Sequence, residues 1–308
     1  MHVPALPSGI ELVQFGRAES VRAEGVRRAR AGAAEGTLVV VESPLGGQAR
    51  HGREWLLSDA AGLHGAFILR PGLPVAECVE LAPVAAVALG SAVSEFVQPM
   101  TELHYRWPND VLLNAGKACG LWLDAGGTAE SLDWLVISWS LNVNSSPEDL
   151  GHDAASIAVE GAAEALDPGE IVRAIAREFV ASITTWDQTG FEAVLRQWRV
   201  RIPVGDPATV ELHDGERVEG VVERVDDAGA LVLRTAAGER TLALNDFFGL
   251  PTEAVCALNQ VCVAWSRTWA ISLCIVTRVA ITRWRISRNC SSWAACCPNP
   301  MIRPCGWL

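Results

Sequence analysis

Lys117 is the one lysine in this chain of 308 residues, which carries 24 arginines. It follows the segment Arg106-Trp-Pro-Asn-Asp110 by seven residues. An ammonium group is a compact point charge on a flexible stem, which a planar guanidinium does not imitate. The segment alone is compatible with a turn entering a strand, with Trp107 in the core and Asn109 as a cap. That interpretation leaves the lysine unexplained, so the spacing favours chemistry at Lys117.

A second candidate site is the loop from Gly46 to Trp55, which combines glycines with arginines. Small residues let backbone N–H groups approach a phosphate, and arginine side chains neutralise it. Trp55 has the right chemistry to stack on an adenine ring. Taken alone, a basic loop that contains glycine is more typical of plain solvated surface.

The elements that would position these residues alternate between helical and strand patterns, which predicts an α+β fold with a mixed sheet and packed helices. Predicted strands are residues 10–15, 37–41, 63–69, 111–113, 120–124 and 134–143, the last two joined through a Gly-Gly turn. Predicted helices are residues 18–34, 75–98, 167–186 and 191–199. If 111–113 and 120–123 form a hairpin, Lys117 stands at its turn and reaches back over Asn109 and Asp110.

The pattern changes near residue 203. Four short stretches alternate apolar and polar residues and are separated by tight turns, as in a small β-barrel. These stretches are residues 208–213, 217–225, 230–235 and 240–244. The sequence therefore predicts a domain over residues 1–202 and a small barrel over residues 203–252.

The last 55 residues, from Ala254, differ in composition from the rest. They contain seven of the nine cysteines, five of the twelve tryptophans and six arginines, but no Asp, Glu or Lys. Such a break favours out-of-frame translation of a GC-rich gene, and residues 253–308 are predicted not to be a native domain. A functional cysteine-rich segment and a membrane-associating segment are the alternatives, although arginines interrupt every apolar stretch.

Bulk composition narrows the class of protein. The net charge of -11 argues against a nucleic-acid partner held by a basic face. The sequence has no zinc-type ligand spacing, so no protein-held metal is predicted. We see neither a secretory signal pattern nor an apolar run of the ~18 residues that a membrane span requires. A soluble cytoplasmic protein without membrane partners is expected.

Three motifs, taken in order, resemble the biotin–protein ligases. That family carries Gly-Arg-Gly-Arg-x-Gly-Arg-x-Trp, then Lys-Trp-Pro-Asn-Asp with Lys-x-x-Gly-Ile beyond it, then Gly-x-Gly-x-Asn-x-Asn. The corresponding segments here are Gly47-Gln-Ala-Arg-His-Gly-Arg-Glu-Trp55, Arg106-Trp-Pro-Asn-Asp110 with Lys117-Ala-Cys-Gly-Leu121, and Ser138-Trp-Ser-Leu-Asn-Val-Asn144. The resemblance covers about residues 10 to 250 and implies a class II synthetase-like catalytic domain followed by an SH3-like barrel. The family's helix-turn-helix segment is not found, as in its monofunctional form.

The resemblance also implies a reaction. Biotin would attack the α-phosphate of ATP with Mg²⁺ present, and the biotinyl-adenylate would then modify a lysine of a biotin carboxyl carrier domain, as in acetyl-CoA carboxylase. A homodimer is compatible with the family. By resemblance the catalytic residues are Lys117, Arg50 and Asp110. Adenylate contacts would come from Gly47, Ala49, Arg50, His51, Arg53, Trp55, Asn109 and Asn142. Biotin contacts would come from Ser20, Val21, Arg22, Lys117, Gly120 and Ser138.

Several positions depart from the family pattern. The family's Ser-Thr-Asn after the first strand reads Ser20-Val21-Arg22, and the two glycines of Gly-x-Gly are Ser138 and Ser140. Further departures are Pro44, Gln48 and Ala49 around the phosphate loop, and Asp124 where glutamate is usual. This pattern leaves three interpretations open: a divergent biotin ligase, a ligase for lipoate or octanoate, and a paralogue that binds without catalysing.

Overall fold

A seven-stranded mixed sheet organises the first two-thirds of the chain. The computed structural model describes residues 1–44, 62–146, 153–161 and 166–251. The strands lie in the order β1-β2-β3-β7-β6-β5-β4; the β1–β2 pair is parallel and the other neighbours are antiparallel. They are β1 Glu11–Ala18, β2 Thr37–Pro44, β3 Gly62–Leu69, β4 Leu103–Arg106, β5 Asp110–Leu113, β6 Gly116–Gly127 and β7 Leu132–Asn142.

Helix α1 (Val21–Arg30) covers one face of this sheet and contacts β2, β3 and β7. It packs closely because Gly25 lies against the sheet, where an added Cβ would stand 3.0 Å from Ala66 Cβ and Val136 Cγ1. The apolar side chains that it buries include Val39, Ala66 and Val136. This small cluster fixes the helix over one half of the sheet face.

The opposite face of the sheet carries the main hydrophobic core. Helix α3 (Leu81–Ser94) covers this face of the sheet and is preceded by the short helix α2 (Val75–Cys78). Helices α4 (Pro168–Thr189) and α5 (Phe191–Arg199) pack against α3. The stretch Val75–Ser94 is long and apolar enough to span a membrane by length and composition, but 78% of its most apolar window is buried inside the protein. Such burial is typical of the central helix of a globular core.

A second sheet follows α5. Its strands β8 (Pro207–Glu211), β9 (Arg217–Val225), β10 (Leu231–Thr235) and β11 (Gly238–Leu242) pair antiparallel in sequence order, and the short helix α6 (Leu244–Phe248) follows. Residues 1–256 form one compact unit. The predicted boundary at residue 203 stays a prediction, and the predicted aberrant tail lies outside the described residues.

Most predicted elements are present, with five differences. Helices α4 and α5 and strand β9 begin and end close to their predicted residues, whereas β4 and α6 were not predicted. The helix predicted over 75–98 is divided between α2 and α3, and the helix predicted over 18–34 is reduced to Val21–Arg30. The predicted Gly-Gly turn is wrong, because Gly126 and Gly127 lie within β6 and the turn spans residues 128–131.

Candidate active site

The β5–β6 hairpin places Lys117 as the sequence predicts. A two-residue turn joins the strands, with Leu113 paired to Gly116 across it. Asn114 and Ala115 both have positive φ values, 46° and 68°. Two consecutive positive φ values are what a type I′ hairpin turn requires, so the turn folds the chain back on itself and brings Lys117 beside the start of β5.

An ion pair at the base of this hairpin is the centre of the candidate site. Lys117 Nζ lies 2.8 Å from Asp110 Oδ1, and only 15% and 11% of the two side chains are exposed. Arg106 lies at the edge of the pair, with its Nη1 4.0 Å from Asp110 Oδ2. A half-shielded ammonium held by a carboxylate is a fixed positive charge at a place where solvent screens it less than at the open surface.

Backbone contacts hold Lys117 from its other side. Its N–H donates to the Asp153 carbonyl at 2.9 Å, and its carbonyl accepts from the Ala155 N–H at 3.0 Å. The segment approaches so closely that a Cβ on Gly116 would stand 2.9 Å from Ala155 Cβ. The position of the lysine backbone is therefore set by three segments: β5, β6 and the stretch around residue 154.

Two of the predicted adenylate-binding residues are structural anchors in the described protein. The Asn109 side chain donates to the Leu121 carbonyl at 3.0 Å, and the Asn109 carbonyl accepts from the Leu121 N–H at 3.0 Å. The Asn142 amide donates to the carbonyls of Ala155 (3.0 Å) and Lys117 (3.3 Å). Both amides therefore tie the hairpin to its neighbours; contact with an adenylate by either residue stays a prediction.

The residues predicted to hold biotin lie at the start of α1 and on the sheet below it. Ser20 caps the helix, with its Oγ accepting from the Ala23 N–H at 3.0 Å, and Val21 is buried in the core beneath the helix. Arg22 binds Asp124 through two hydrogen bonds of 2.7 and 2.8 Å. This bidentate pair joins the first turn of α1 to β6. Arg22 and Asp124 are two of the positions that depart from the family pattern, and here they bind each other.

Small and polar residues form the sheet face between Lys117 and α1. Gly120 on β6 is in register with Ser140 on β7, which is in register with His64 on β3. His64 Nδ1 lies 2.9 Å from Ser140 Oγ, and burial lowers the pKa of His64 to about 4. Ser138 lies two residues along β7 and is 1% exposed. The sequence analysis included Ser138 and Gly120 but did not single out His64. The feature that could have pointed to His64 is that it is the one polar side chain in the otherwise apolar strand β3.

The predicted phosphate loop is outside the described residues. This applies to Gly47, Ala49, Arg50, His51, Arg53 and Trp55, so their proximity to Lys117 stays a prediction.

Burial raises the pKa of Cys119, two residues after Lys117, well above that of an exposed thiol. That thiol is therefore uncharged at neutral pH and adds no negative charge beside the Lys117–Asp110 pair.

Comparison with known proteins identifies the family. Residues 52–200 match the biotin/lipoate A/B protein ligase family. The chain is 30% identical over 239 residues to the biotin–[acetyl-CoA-carboxylase] ligase of Paracoccus denitrificans, covering 76% of this chain and 98% of that protein. It is 31% identical over 234 residues to the ligase of the same name from Mycobacterium tuberculosis, covering 73% of this chain and 83% of that protein.

Solved structures share the fold at low sequence identity. A biotin protein ligase-like protein of unknown function from Silicibacter sp. superposes with a TM-score of 0.63 at 22% identity, covering 78% of this chain and 96% of that one. Biotin protein ligase from Aquifex aeolicus, in complex with biotin and ATP, gives a TM-score of 0.62 at 20% identity, covering 75% and 94%. Together with the two curated relatives, this fold places the chain in the biotin–protein ligase family.

Proposed function

We propose that the protein is an ATP-dependent ligase that activates biotin as biotinyl-5'-AMP and transfers it to a lysine of a biotin carboxyl carrier domain. The observation that carries the proposal is the Lys117–Asp110 pair at the base of the β5–β6 hairpin, in a fold shared with a biotin ligase that binds biotin and ATP. Relatives named as acetyl-CoA-carboxylase ligases support that carboxylase as the source of the acceptor.

The first step brings two anions together. A biotin carboxylate oxygen attacks the α-phosphorus of ATP, and the bond to the β-phosphate oxygen breaks to release pyrophosphate. Lys117 Nζ, held by Asp110, offsets the repulsion between carboxylate and phosphate and stabilises the charge that develops on the phosphoryl oxygens. A fixed cation serves this role without reorganising during the reaction, which is why the carboxylate that orients it matters.

Mg²⁺ commonly binds through one or two carboxylates together with the phosphates of its nucleotide. Asp110 supplies one such carboxylate beside Lys117. Within the described ranges, no group of three or more His, Cys, Asp or Glu side chains is arranged to hold a metal. A single carboxylate, Asp110, fits a Mg²⁺ that arrives already bound to ATP. There the ion would neutralise part of the phosphate charge.

In the second step, the acceptor lysine amine attacks the carbonyl carbon of the mixed anhydride. The acyl–phosphate bond breaks, AMP leaves with the bonding electrons, and the amine loses a proton to give an amide. Lys117 then stabilises the negative charge on the departing AMP, so one cation serves both steps.

We also infer that the β8–β11 sheet is the SH3-like barrel of this family. Its support is the sequential antiparallel pairing of four short strands immediately after the catalytic sheet. A cytoplasmic location, a homodimer and the absence of a nucleic-acid partner remain predictions of the sequence.

Pyrophosphate–ATP exchange tests the proposal directly. We expect the full-length protein to catalyse exchange when biotin is added, and not when lipoate or octanoate is added. Exchange with lipoate or octanoate instead would identify a ligase for that acid. Binding of biotin without exchange, by protein that is shown to be folded, would indicate a non-catalytic paralogue.

Lys117→Ala is the sharpest variant for this assignment. Removing a fixed cation from the transition state is expected to lower the exchange rate by about 100-fold or more. It also leaves the shielded Asp110 carboxylate without its partner and should lower the unfolding temperature, so exchange is compared at a temperature at which circular dichroism shows both proteins folded. Arg240→Ala is the matched control, since it removes an exposed cation that pairs with Glu216 on the second sheet. Exchange that survives in Lys117→Ala would contradict the role given to Lys117.

A further inference from the structure

Residues 153–161, called the strap below, lie beside the hairpin that carries Lys117. Ala154 forms a parallel bridge with Lys117, and the hydrogen bonds on either side of this bridge engage both the N–H and the carbonyl of the lysine. The strap is also bonded to the end of β7, because the Ile157 N–H donates to the Asn142 carbonyl at 3.2 Å. The strap therefore joins the lysine strand β6 to the last residue of β7.

The Asn142 side chain lies at the junction of these three segments. Its Nδ2 donates to the Ala155 carbonyl at 3.0 Å and to the Lys117 carbonyl at 3.3 Å, and the residue is 7% exposed. A carboxamide nitrogen has two N–H bonds, so these two contacts use both of them. The reversed amide would place its oxygen against two carbonyl oxygens, which fixes the orientation of the group.

The side chain of Lys117 is therefore held at both of its ends. The strap and Asn142 hold the lysine backbone, and Nζ lies 2.8 Å from Asp110 Oδ1. A lysine side chain is a flexible stem, so the place of its ammonium depends on where the backbone is fixed as well as on its counter-ion. Misplacing a catalytic group by about 1 Å can cost about 100-fold in rate. Contacts of the Lys117 backbone thus affect where the positive charge lies in the site.

We propose that Asn142 is a positioning residue for Lys117, which sets the place of the cation by tying the Lys117 carbonyl to the strap with its two N–H bonds. Those two bonds are not available to a nucleotide, which can reach only the oxygen of this amide. Loss of the two donors therefore lowers the rate of adenylation rather than the affinity for ATP. This inference rests on the proposed function for the identity of the reaction.

Asn142→Ala tests this role by removing the amide from the full-length protein. We expect kcat of biotin-dependent pyrophosphate exchange to fall about 10-fold, with KM for ATP within about two-fold of the wild-type value. A contact between the Asn142 oxygen and the nucleotide would act in the opposite way, by raising KM for ATP. If kcat of the folded variant stays at the wild-type value, the proposal is overturned.

Gly116→Ala disturbs the same junction without changing Asn142. The added Cβ would stand 2.9 Å from Ala155 Cβ and 3.0 Å from the carbonyl carbon of Ala154, so the strap must move away from Lys117. We again expect a lower kcat and an unchanged KM for ATP. Should Asn142→Ala not fold, as judged by circular dichroism, an unchanged kcat in Gly116→Ala overturns the proposal in its place.

Asn245→Ala is the matched control. The Asn245 amide accepts from the Leu250 N–H at 2.9 Å and donates to the Leu250 carbonyl at 3.3 Å, within and just after α6. Its removal likewise deprives backbone groups of an amide partner, but it leaves the strap and Lys117 as they are. Exchange kinetics should stay at the wild-type values, and a loss of kcat equal to that of Asn142→Ala would contradict a specific role for Asn142.

The mobility of Lys117 gives a measurement that does not depend on activity. Because the sequence has one lysine, protein isotopically labelled at the lysine Cε gives one lysine signal in NMR spectra. The order parameter of this signal, measured without ligands, should fall in Asn142→Ala and stay at the wild-type value in Asn245→Ala. A lower kcat in Asn142→Ala with an unchanged order parameter and chemical shift of the lysine signal would overturn the proposal.

The two proposals fail in different ways. Wild-type protein without biotin-dependent exchange would refute the ligase function, whereas a more mobile Lys117 in Asn142→Ala would leave the positioning role of Asn142 standing. Biotin-dependent exchange with the same kcat in wild type and Asn142→Ala would leave the ligase function standing and refute the positioning role.

Discussion

At the scale of single residues, buried polar groups in this protein separate into those that are paired by the fold and those that are not. Lys117 and Asp110 hold each other, and Arg22 holds Asp124. Ser138 is 1% exposed and has no hydrogen bond within the described residues. The fold itself therefore pairs the charged groups but leaves the Ser138 hydroxyl unpaired within the described residues.

The neutral state of His64 predicts a pH dependence of stability. The unfolded chain protonates this imidazole near its ordinary value of 6.5, whereas the folded protein resists protonation down to about pH 4. The unfolded state therefore binds more protons in this window, and the free energy of unfolding falls as pH is lowered from 6.5 to 4. The loss should approach about 3 kcal/mol.

His64→Gln should remove this contribution. Urea unfolding of wild type and variant at pH 7, 5.5 and 4.5 measures it, and the variant is expected to show a shallower loss between pH 6.5 and 4. His104→Gln is the control, since that imidazole is more exposed and pairs with Glu102. Parallel pH profiles for wild type and His64→Gln would show that other groups cause the acid sensitivity.

Sequence reasoning predicted the approach of Lys117 to Asp110, which lie in one dense motif, and missed the contact between His64 and Ser140. Asp110 and Lys117 were predicted together because seven residues of hairpin bring them within reach. His64 was missed because its partner, Ser140, is 76 residues away and only the register between β3 and β7 brings the two together. The anchoring role of Asn142 was hidden for the same reason.

At the scale of elements, the β5–β6 turn contains a residue that is unfavourable for its conformation. Ala115 has φ +68°, a left-handed value that costs an L-residue with a Cβ about 1 kcal/mol relative to glycine. Ala115→Gly should therefore raise the free energy of unfolding by about 0.5–1 kcal/mol, measured by urea unfolding. Gly116→Ala is the opposite control: its Cβ would meet Ala155, so it should destabilise the hairpin.

Trp107, between β4 and β5, links the segment before Asp110 to the second sheet. Trp107 Nε1 donates to the Gly229 carbonyl at 2.9 Å in the β9–β10 turn, and the indole packs edge-on against Phe247 of α6, with ring centroids 5.7 Å apart. Trp107 lies three residues before Asp110. The small sheet is therefore positioned to support the segment that leads into Asp110, the carboxylate of the candidate site.

Trp107→Phe tests this support. Losing the buried N–H leaves the Gly229 carbonyl unsatisfied and should cost about 1–3 kcal/mol of stability together with a lower exchange rate. Trp186→Phe is the matched control, because it removes an indole bond to Glu80 away from the hairpin. Both variants should unfold more easily, but only Trp107→Phe should slow exchange; equal exchange rates would argue against this support.

Two errors in the predicted elements have local physical causes. Pro83 lies in the first turn of α3, where its missing N–H is tolerated, so the long predicted helix is divided before it. Gly126 reads as a turn residue, but it is in register with Trp134, and an added Cβ would stand 2.4 Å from that indole. Its small size serves packing across the strands.

At the scale of the whole molecule, residues 1–256 form a compact unit with its own core. We therefore expect the protein ended after Cys256 to keep the unfolding temperature and exchange rate of the full chain, because both sheets and the candidate site lie before that residue. Thermal unfolding and biotin-dependent exchange of the two proteins check this. A shortened protein that fails to fold would show that the residues beyond 256 contribute to stability.

The solitary lysine has a consequence for chemical labelling. A lysine-specific protease finds a single peptide bond to cut in the entire chain, after Lys117. The only other amine, at Met1, is held by Glu42 at 2.8 Å. An amine-reactive dye would therefore have two points of attachment in this sequence, Lys117 in the candidate site and the amine of Met1. If Lys117 binds substrate as proposed, bound substrate should slow the reaction of the Lys117 amine with the dye. Labelling at this one lysine would then report how much of the protein has substrate bound.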